Sequence, residues 1–595
     1  MSGTRKAILI IFGIVGGFVI VALLGVLLIW AALRKSEPSI RDNSVLTLRV
    51  AGTLPDYTPD DPFKKVFGGP DQSLTGLVMQ FKKAKVDKRI KAVLLDINFS
   101  GVGWGKAEEL RDAIADFRTS GKPVYAYIEL GLNKEYYIAS ACDKIIVPPP
   151  GELFINGLAA DVMFFRGSLD KLGIYPDIYQ IGKYKSAGNM FTQKEMTDAH
   201  REYVNSMLDD LFNRYVNAIA QARHKTPDEV RTLIDNAPYN AEQAKNVGLI
   251  DEAAYRDQVD QQLKKLLGQK ENEPLVAIRG VDYRDVSPES LGLNKGERIA
   301  VIYATGEIGS GSSQNSPSGD QSIGSDTVAK ALNDAAADKT IKAIVLRVDS
   351  PGGSGLASDI IWRSVEMANQ KKPVVVSMSD VAASGGYYIS ASAAKIIAQP
   401  STITGSIGVV AGKPVMRGFY DWLGISNEYV LRGKTAGMFR ETEKFSDEER
   451  AKFEEWIKIT YYRDFVPKVA KGRNKDVNFI DSVAQGRVWT GAQAKDRGLV
   501  DEFGGLDKAI DVAKQLAKIP AEKGVERVIF PYPTTFLQEL LSGGGENSNT
   551  QLEQQRAVYA ALPEDARRAL KFMAMMDRMK NGETMLVMPF DIRVK

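Results

Sequence analysis

One stretch of sequence occurs twice in this chain, about 250 positions apart, so any fold for it must be assembled from two like units. Ile90-Lys-Ala-Val-Leu-Leu recurs as Ile341-Lys-Ala-Ile-Val-Leu, and Gly121-Lys-Pro-Val as Lys372-Pro-Val-Val. Tyr136-Tyr-Ile-Ala-Ser-Ala recurs as Tyr387-Tyr-Ile-Ser-Ala-Ser, and Ala244-Lys-Asn-Val-Gly-Leu-Ile-Asp as Ala494-Lys-Asp-Arg-Gly-Leu-Val-Asp. The copies part company where small residues gather. The second reads Asp349-Ser-Pro-Gly-Gly-Ser354 and Ala383-Ser-Gly-Gly-Tyr387, where the first reads Asn98-Phe-Ser-Gly-Val-Gly103 and Leu132-Asn-Lys-Glu-Tyr136. Only the second copy has adjacent glycine pairs beside a serine in this frame, Gly352-Gly353 and Gly385-Gly386.

Within each copy, apolar strand-like runs alternate with helical segments. Val45-Leu-Thr-Leu-Arg-Val matches Ile299-Ala-Val-Ile-Tyr, residues 92–97 match 343–348, and residues 123–128 match 373–378. Such alternation predicts an α/β fold with a parallel sheet and helical crossovers, and the unbroken apolar runs fit strands covered on both faces. The expected layout is a flank (1–6), an apolar anchor (7–33), a link (34–44), a first copy (45–268), a polar linker (269–297), a second copy (298–519) and a C-terminal extension (520–595). Residues 309–325, rich in Gly and Ser, read as a mobile surface loop. In the extension, Ser542–Asn549 reads as disordered, Glu553–Lys580 as a helix with a Met-rich face, and Met585–Met588 as a strand.

Residues Ala7 to Leu33 carry no charge. As a helix they would span about 40 Å, enough for a hydrocarbon core of about 30 Å and far longer than the apolar region of a cleaved signal peptide. The expectation is a transmembrane anchor. Arg5 and Lys6 on one side balance Arg34 and Lys35 on the other, so charge bias leaves orientation open. A net charge of +3, from 77 basic and 74 acidic residues, gives no nucleic-acid footprint. The lone cysteine, Cys142, excludes an intrachain disulfide; it stands where the second copy has Ala393, as a small buried hydrophobe would.

The chain has two histidines, His200 and His224, each in a charged helical segment and neither repeated in the second copy. Both read as surface residues. A Ser-His-Asp triad and a histidine metal site are therefore disfavoured, and no metal or other cofactor is expected. Serine with a lysine base remains. Ser384 falls where a strand gives way to a helix, and reads equally as a helix cap or as a nucleophile whose oxygen gains from the helix N-terminus. Pro351-Gly-Gly reads as a tight turn or as a source of backbone N–H groups for an oxyanion. Both motifs fall at carboxyl ends of strands, where open α/β sheets place ligands. A lysine base must be neutral near pH 7–8, well below its ordinary pKa of about 10.4, which requires burial or a neighbouring cation. Lys185, in Gly182-Lys-Tyr-Lys-Ser-Ala-Gly188, is the candidate; spacing alone singles out no lysine.

Taken together, Asp349-Ser-Pro-Gly-Gly, Ala383-Ser-Gly-Gly-Tyr-Tyr, Ile403-Thr-Gly-Ser-Ile-Gly408, Gly182-Lys-Tyr-Lys-Ser-Ala and Val488-Trp-Thr-Gly resemble the signal peptide peptidase A (protease IV) family in its long, duplicated form. The resemblance covers residues 45–515 and implies two tandem ClpP/crotonase-like domains sharing a Ser-Lys dyad, with the lysine from the first copy and the serine from the second. Carried over by motif, Ser384 is the nucleophile, Lys185 the general base and Ser406 a serine that hydrogen-bonds the lysine, while Gly353 and Gly385 turn N–H groups toward the oxyanion. Single-copy relatives keep their lysine downstream of the serine, which makes Lys434, in Arg432-Gly-Lys-Thr-Ala-Gly437, the alternative base. The resemblance also implies a homo-oligomer, a tetramer, anchored in a bacterial inner membrane with its bowl-shaped catalytic part on the extracytoplasmic side, cutting remnant signal peptides and other unfolded peptides. The competing readings are a crotonase-type acyl-CoA enzyme, which also uses Gly-Gly donors, and a membrane scaffold with a decayed site.

Overall fold

A computed structural model describes residues 38–58, 72–313, 322–531 and 584–588, with isolated positions at 17, 559, 562, 563, 566, 567, 570, 593 and 594. The expected anchor over 7–33, the Ser542–Asn549 segment and nearly all of the Met-rich segment over 553–580 lie outside the described residues. Among the described residues no helix is long and apolar enough to cross a membrane.

Each copy is built on a parallel sheet. In the first, the strand order is Glu252–Ala253, Lys144–Val147, Val124–Ile128, Ile90–Ser100, Ser44–Gly52 and Ala277–Arg279, every pair parallel. The second runs Val488–Thr490, Ile403–Gly405, Val374–Ala383, Ile341–Ser350, Glu297–Thr305 and Val525–Phe530, parallel except where Val488–Thr490 meets Ile403–Gly405. Two strands thus lie beyond the expected boundaries. Ala277–Arg279 of the expected linker completes the first sheet, and Val525–Phe530 of the extension completes the second. Each is an edge strand, where pairing with one neighbour suffices and the apolar run is short, so neither carries the long signal of a central strand. The linker is also pinned: the buried Lys83 amine donates to the carbonyls of Tyr283, Arg284 and Val286 at 2.9–3.0 Å.

A third sheet joins the copies. Its order is Ser322–Gly324, Glu307–Gly309, Gly352–Ser354, Met585–Val587, Val409–Val415 and Tyr175–Ile181. The ends of the expected mobile loop are therefore strands, paired Glu307 to Ser322 through Gly309 to Gly324; residues 314–321 lie outside the described residues. Tyr175–Ile181 comes from the first copy and runs antiparallel to Val409–Val415 of the second over seven residue pairs, from Ile181 opposite Val409 to Tyr175 opposite Val415. This ladder carries the chain straight into Gly182-Lys-Tyr-Lys185.

A further set of contacts between the copies is polar and buried. Arg347, fully buried, donates to Asp56 at 2.7 and 3.0 Å, to Glu109 at 2.7 Å, and to Ser377 and Ser379 at 2.8 and 3.0 Å. Lys106 pairs with Asp349 at 2.8 Å, and Asp380 accepts from the backbone N–H groups of Gly103 and Lys106 at 2.9 and 2.7 Å. Asp56, Glu109 and Lys106 belong to the first copy; Arg347, Asp349 and Asp380 belong to the second.

Candidate active site

Ser384 ends the strand Val374–Ala383 and caps the helix Gly385–Ser390. Its backbone stands at φ 55°, ψ −110°, a conformation that costs a side-chain-bearing residue of order 1–3 kcal/mol and persists only where its surroundings impose it. They do so here: Ser384 N–H donates to Gly405 O at 2.8 Å, and Tyr388 N–H donates to Ser384 O at 2.8 Å. The sharp turn separates the hydroxyl from the strand and directs it at Lys185.

Lys185 and Ser384 stand with Nζ and Oγ 2.9 Å apart. The amine also lies 3.1 Å from both the carbonyl oxygen and the hydroxyl of Ser406. Lys185 is 1% exposed, and Ser384 and Ser406 are fully buried. Burial alone acts on the amine, with no carboxylate to offset it, and holds its pKa well below the ordinary lysine range. A neutral amine has two N–H donors and one lone pair. The two Ser406 oxygens take the donors, and the lone pair is left for the Ser384 hydroxyl. Ser406 is held in turn by its N–H, which donates to Arg487 O at 2.7 Å.

Two glycines, neither singled out above as a site residue, make room for this lysine. A Cβ on Gly486 (φ +73°) would come within 2.5 Å of the Lys185 N, Cα and Cβ, and one on Gly408 within 3.0 Å of Lys185 Cδ. Gly408 closes a quoted motif, but its spatial duty is invisible without the fold, and Gly486 has no sequence signal at all. Gly352 (φ +108°) and Gly353 (φ +154°) take up backbone that L-residues rarely adopt, and a Cβ on Gly385 would sit 3.1 Å from Gly353 N. The two glycine pairs therefore meet backbone to backbone beside Ser384. Lys434 is exposed, in a segment apart from this cluster.

His200 departs from expectation. It is fully buried, its ring stacked on Tyr203 with centroids 5.3 Å apart, and burial together with Arg201 brings its pKa down to about 4. Its charged neighbours in sequence lie on the outer side of the long helix Asp198–Arg223, which local composition could not reveal. His224 is exposed, as expected. Cys142 is half-buried, with its thiol pushed up to about 12 by burial.

The first copy's equivalent position is filled. At the 251-residue offset of the repeat, Asn133 stands where the second copy has Ser384. Lys134 donates to Val102 O at 2.8 Å, and Glu135 accepts from the Ser100 N–H and hydroxyl at 2.7 and 2.9 Å. Side chains occupy the space that glycines leave open in the other copy.

The family model for Peptidase family S49 matches residues 116–270 and again 366–520, once in each copy. The chain belongs to peptidase family S49. A chloroplastic serine protease SPPA of Arabidopsis thaliana is 38% identical over 509 residues, covering 85% of this chain and 74% of the relative. Protease 4 of Salmonella typhi is 35% identical over 76% of this chain and 73% of its own length. A putative signal peptide peptidase SppA of Enterococcus faecium is 40% identical over 31% of this chain and 53% of the relative. The protein is a serine protease, and the acyl-CoA and scaffold readings fall away.

Proposed function

We propose that this S49 protease is a membrane-anchored endopeptidase in which Ser384 is the nucleophile and Lys185 the general base. The observation that carries the proposal is the 2.9 Å approach of a buried, uncompensated lysine amine to a strained serine from the other copy. The neutral amine takes the hydroxyl proton as Ser384 Oγ attacks the scissile carbonyl. Gly353 and Gly385 N–H groups hold the developing oxyanion. Lys185 then returns the proton to the leaving amine, and water enters by the reverse path to release the acyl group. Ser406 keeps the amine aimed throughout. Each copy is read as a ClpP/crotonase-like domain.

The substrates proposed are remnant signal peptides and other unfolded apolar chains. Residues 7–33 would anchor the protein in a bacterial inner membrane with both copies on the extracytoplasmic side, and a homo-oligomer, a tetramer, would enclose the sites. Family resemblance and the uncharged 27-residue segment support these points. The test is Ser384→Ala in detergent-solubilised protein: peptide hydrolysis is abolished while folding and assembly persist. Wild-type turnover in this variant would refute the assignment. An apolar signal peptide should be cut in preference to a charged peptide of equal length or a stably folded domain, and protease added to spheroplasts should digest both copies.

A further inference from the structure

Between the helix Val477–Val483 and the strand Val488–Thr490 of the second copy, a tight loop touches both the base and its partner. Gln485 and Gly486 turn it through the left-handed region, at φ 47° and 73°. Tyr184 N–H of the first copy donates to Gln485 O at 2.8 Å, Gly486 N–H donates to Ile407 O at 2.7 Å, and Ser406 N–H donates to Arg487 O at 2.7 Å. Three consecutive residues thus hold the segment that carries Lys185 on one side and Ser406 on the other.

The Arg487 side chain reaches back to the first copy. Its Nη1 lies 2.5 Å from a carboxylate oxygen of Glu202, on the helix Asp198–Arg223. Its guanidinium carbon lies 4.6 Å from the centre of the Tyr184 ring and 4.4 Å from that of Trp489, and the Tyr184 hydroxyl lies 3.1 Å from both Glu202 oxygens. A planar guanidinium can stack on rings and ion-pair at the same time, which a lysine cannot. Two more cations border this stack: the Lys183 amine 5.0 Å from the Tyr184 ring centre and the Arg497 guanidinium 3.7 Å from that of Trp489. Arg487 holds the Glu202 carboxyl below the usual carboxylate range, so the pair stays charged near neutral pH. In the alignment that sets Ala244 against Ala494, Arg487 falls opposite Ala237, so the copy without a nucleophile has no counterpart of this side chain.

We propose that Arg487 is a positioning residue for hydrolysis: its side chain clamps the second copy onto the Lys185 segment while its carbonyl fixes Ser406. The proposal rests on the reading of Ser384 and Lys185 as the catalytic pair. Arg487 acts on the amine in two ways. It keeps Lys185 Nζ aimed, because the amine's two contacts with Ser406 hold only while both segments stay together. It also keeps the amine dry, since Lys185 is 1% exposed beneath this loop. When the clamp loosens, the Lys185 segment lifts from Ser406 and water reaches the amine. The ammonium form then gains, and a higher pH is needed to obtain the neutral base.

The experiment measures the pH dependence of kcat and KM for a short apolar fluorogenic peptide, using full-length wild type, Arg487→Ala, Arg487→Lys and Glu202→Gln. Arg487→Ala should lower kcat about tenfold, less than a full 1 Å misplacement costs, and leave KM within about twofold. Its pH midpoint should rise by about one unit as the amine is rehydrated. Arg487→Lys keeps the charge but not the planar stack, and should move both readouts the same way by less. Glu202→Gln separates positioning from charge. Losing a carboxylate disfavours ammonium nearby, so a purely electrostatic role lowers the midpoint, whereas a loosened clamp raises it. A raised midpoint in Glu202→Gln supports the proposal, and one that falls or stays at the wild-type value overturns it. Activity lost only in proportion to folded protein, with the wild-type midpoint in what remains, also overturns it, because Arg487 would then serve the fold alone. Full turnover in Ser384→Ala defeats the catalytic reading and this proposal together; an inactive Ser384→Ala beside wild-type midpoints in the clamp variants defeats this proposal alone.

Discussion

Gly486→Ala tests whether the lysine is positioned by packing. A methyl group there would sit 2.5 Å from the Lys185 N, Cα and Cβ, whereas ordinary contact begins near 3.4 Å, so the 185 backbone must retreat by about 0.9 Å. Displacements near 1 Å cost about 10²-fold in rate when the reacting groups are otherwise held in place. The same substitution places a side chain at φ +73°, a strain of about 1–2 kcal/mol, and adds an overpacking cost of about 1–3 kcal/mol. Gly498→Ala is the matched control. Its φ is +69°, but its methyl would meet only the flexible end of Lys475, with Cε at 2.9 Å. Urea unfolding should show both variants destabilised, Gly486→Ala more so. The kcat of Gly486→Ala for an apolar peptide should fall about 100-fold, and that of Gly498→Ala should stay within about threefold of wild type. Equal kcat in the two variants would mean that the Lys185 backbone position does not govern the chemistry, and the packing argument would fail.

Lys185→Met should lower turnover by about 10²–10⁴-fold, the range for a lost general base, while Lys434→Ala stays near wild type; a dead Lys434→Ala beside an active Lys185→Met would move the base into the second copy. Hydrolysis should rise with pH through a midpoint well below the ordinary lysine pKa, because burial favours the neutral amine; a rate that falls with rising pH over that limb contradicts a lysine base. The same shift has a stability sign. The unfolded chain binds a proton at Lys185 that the folded chain releases, so stability rises with pH from the folded pKa up to the unfolded one, and Lys185→Met should flatten that slope in denaturant titrations. Arg347→Met leaves the buried carboxylates of Asp56 and Glu109 without their shared cation, and should cost about 3–5 kcal/mol in calorimetry or urea titration.

The sequence declared the parallel-sheet architecture because the central strands are buried on both faces and read as unbroken apolar runs, as in Ala343–Val348. Its silence at Ala277–Arg279 and Val525–Phe530 follows from their position: a short edge strand needs only one partner and no long apolar signal. The turn at Ser384 was legible because two glycines follow the serine where a strand gives way to a helix, and the second copy alone supplies them. Lys185 was not legible from residues alone. Nothing local separates a buried lysine from a solvated one, and only the order of five motifs pointed to it. His200 shows the same limit in reverse, since charged neighbours along a helix lie on other faces. The strand character of Met585–Met588 was visible in its apolar run. Its partner was not, because register across more than 200 residues leaves no mark on spacing.

The division of labour between the copies has a physical logic. In the first, Glu135 and Lys134 fill the space beside Asn133, and the start of the helix Trp104–Arg118 is given over to docking against Asp380. A Cβ on Gly103 would lie 2.3 Å from the Asp380 carboxyl carbon, so the glycine kept there serves contact between copies rather than a substrate. The surface that would have bordered a second groove has become the interface that aligns the first. Relative movement of the copies changes the distance from Lys185 to Ser384, because Lys185 follows the first copy's strand Tyr175–Ile181 in the joining sheet, whereas Ser384 ends a strand of the second copy's parallel sheet. Among the contacts that oppose that movement are the seven-pair ladder from Tyr175–Ile181 to Val409–Val415, close to Lys185 and Ser384, and the buried charges around Arg347 and Lys106. Ion pairs of this kind contribute little net stability against apolar substitutes, yet they penalise misalignment steeply, since each displaced charge is left buried and unpaired. For Lys185 and Ser384, the proposed catalytic pair, carried on different sheets, that penalty keeps the 2.9 Å approach in register.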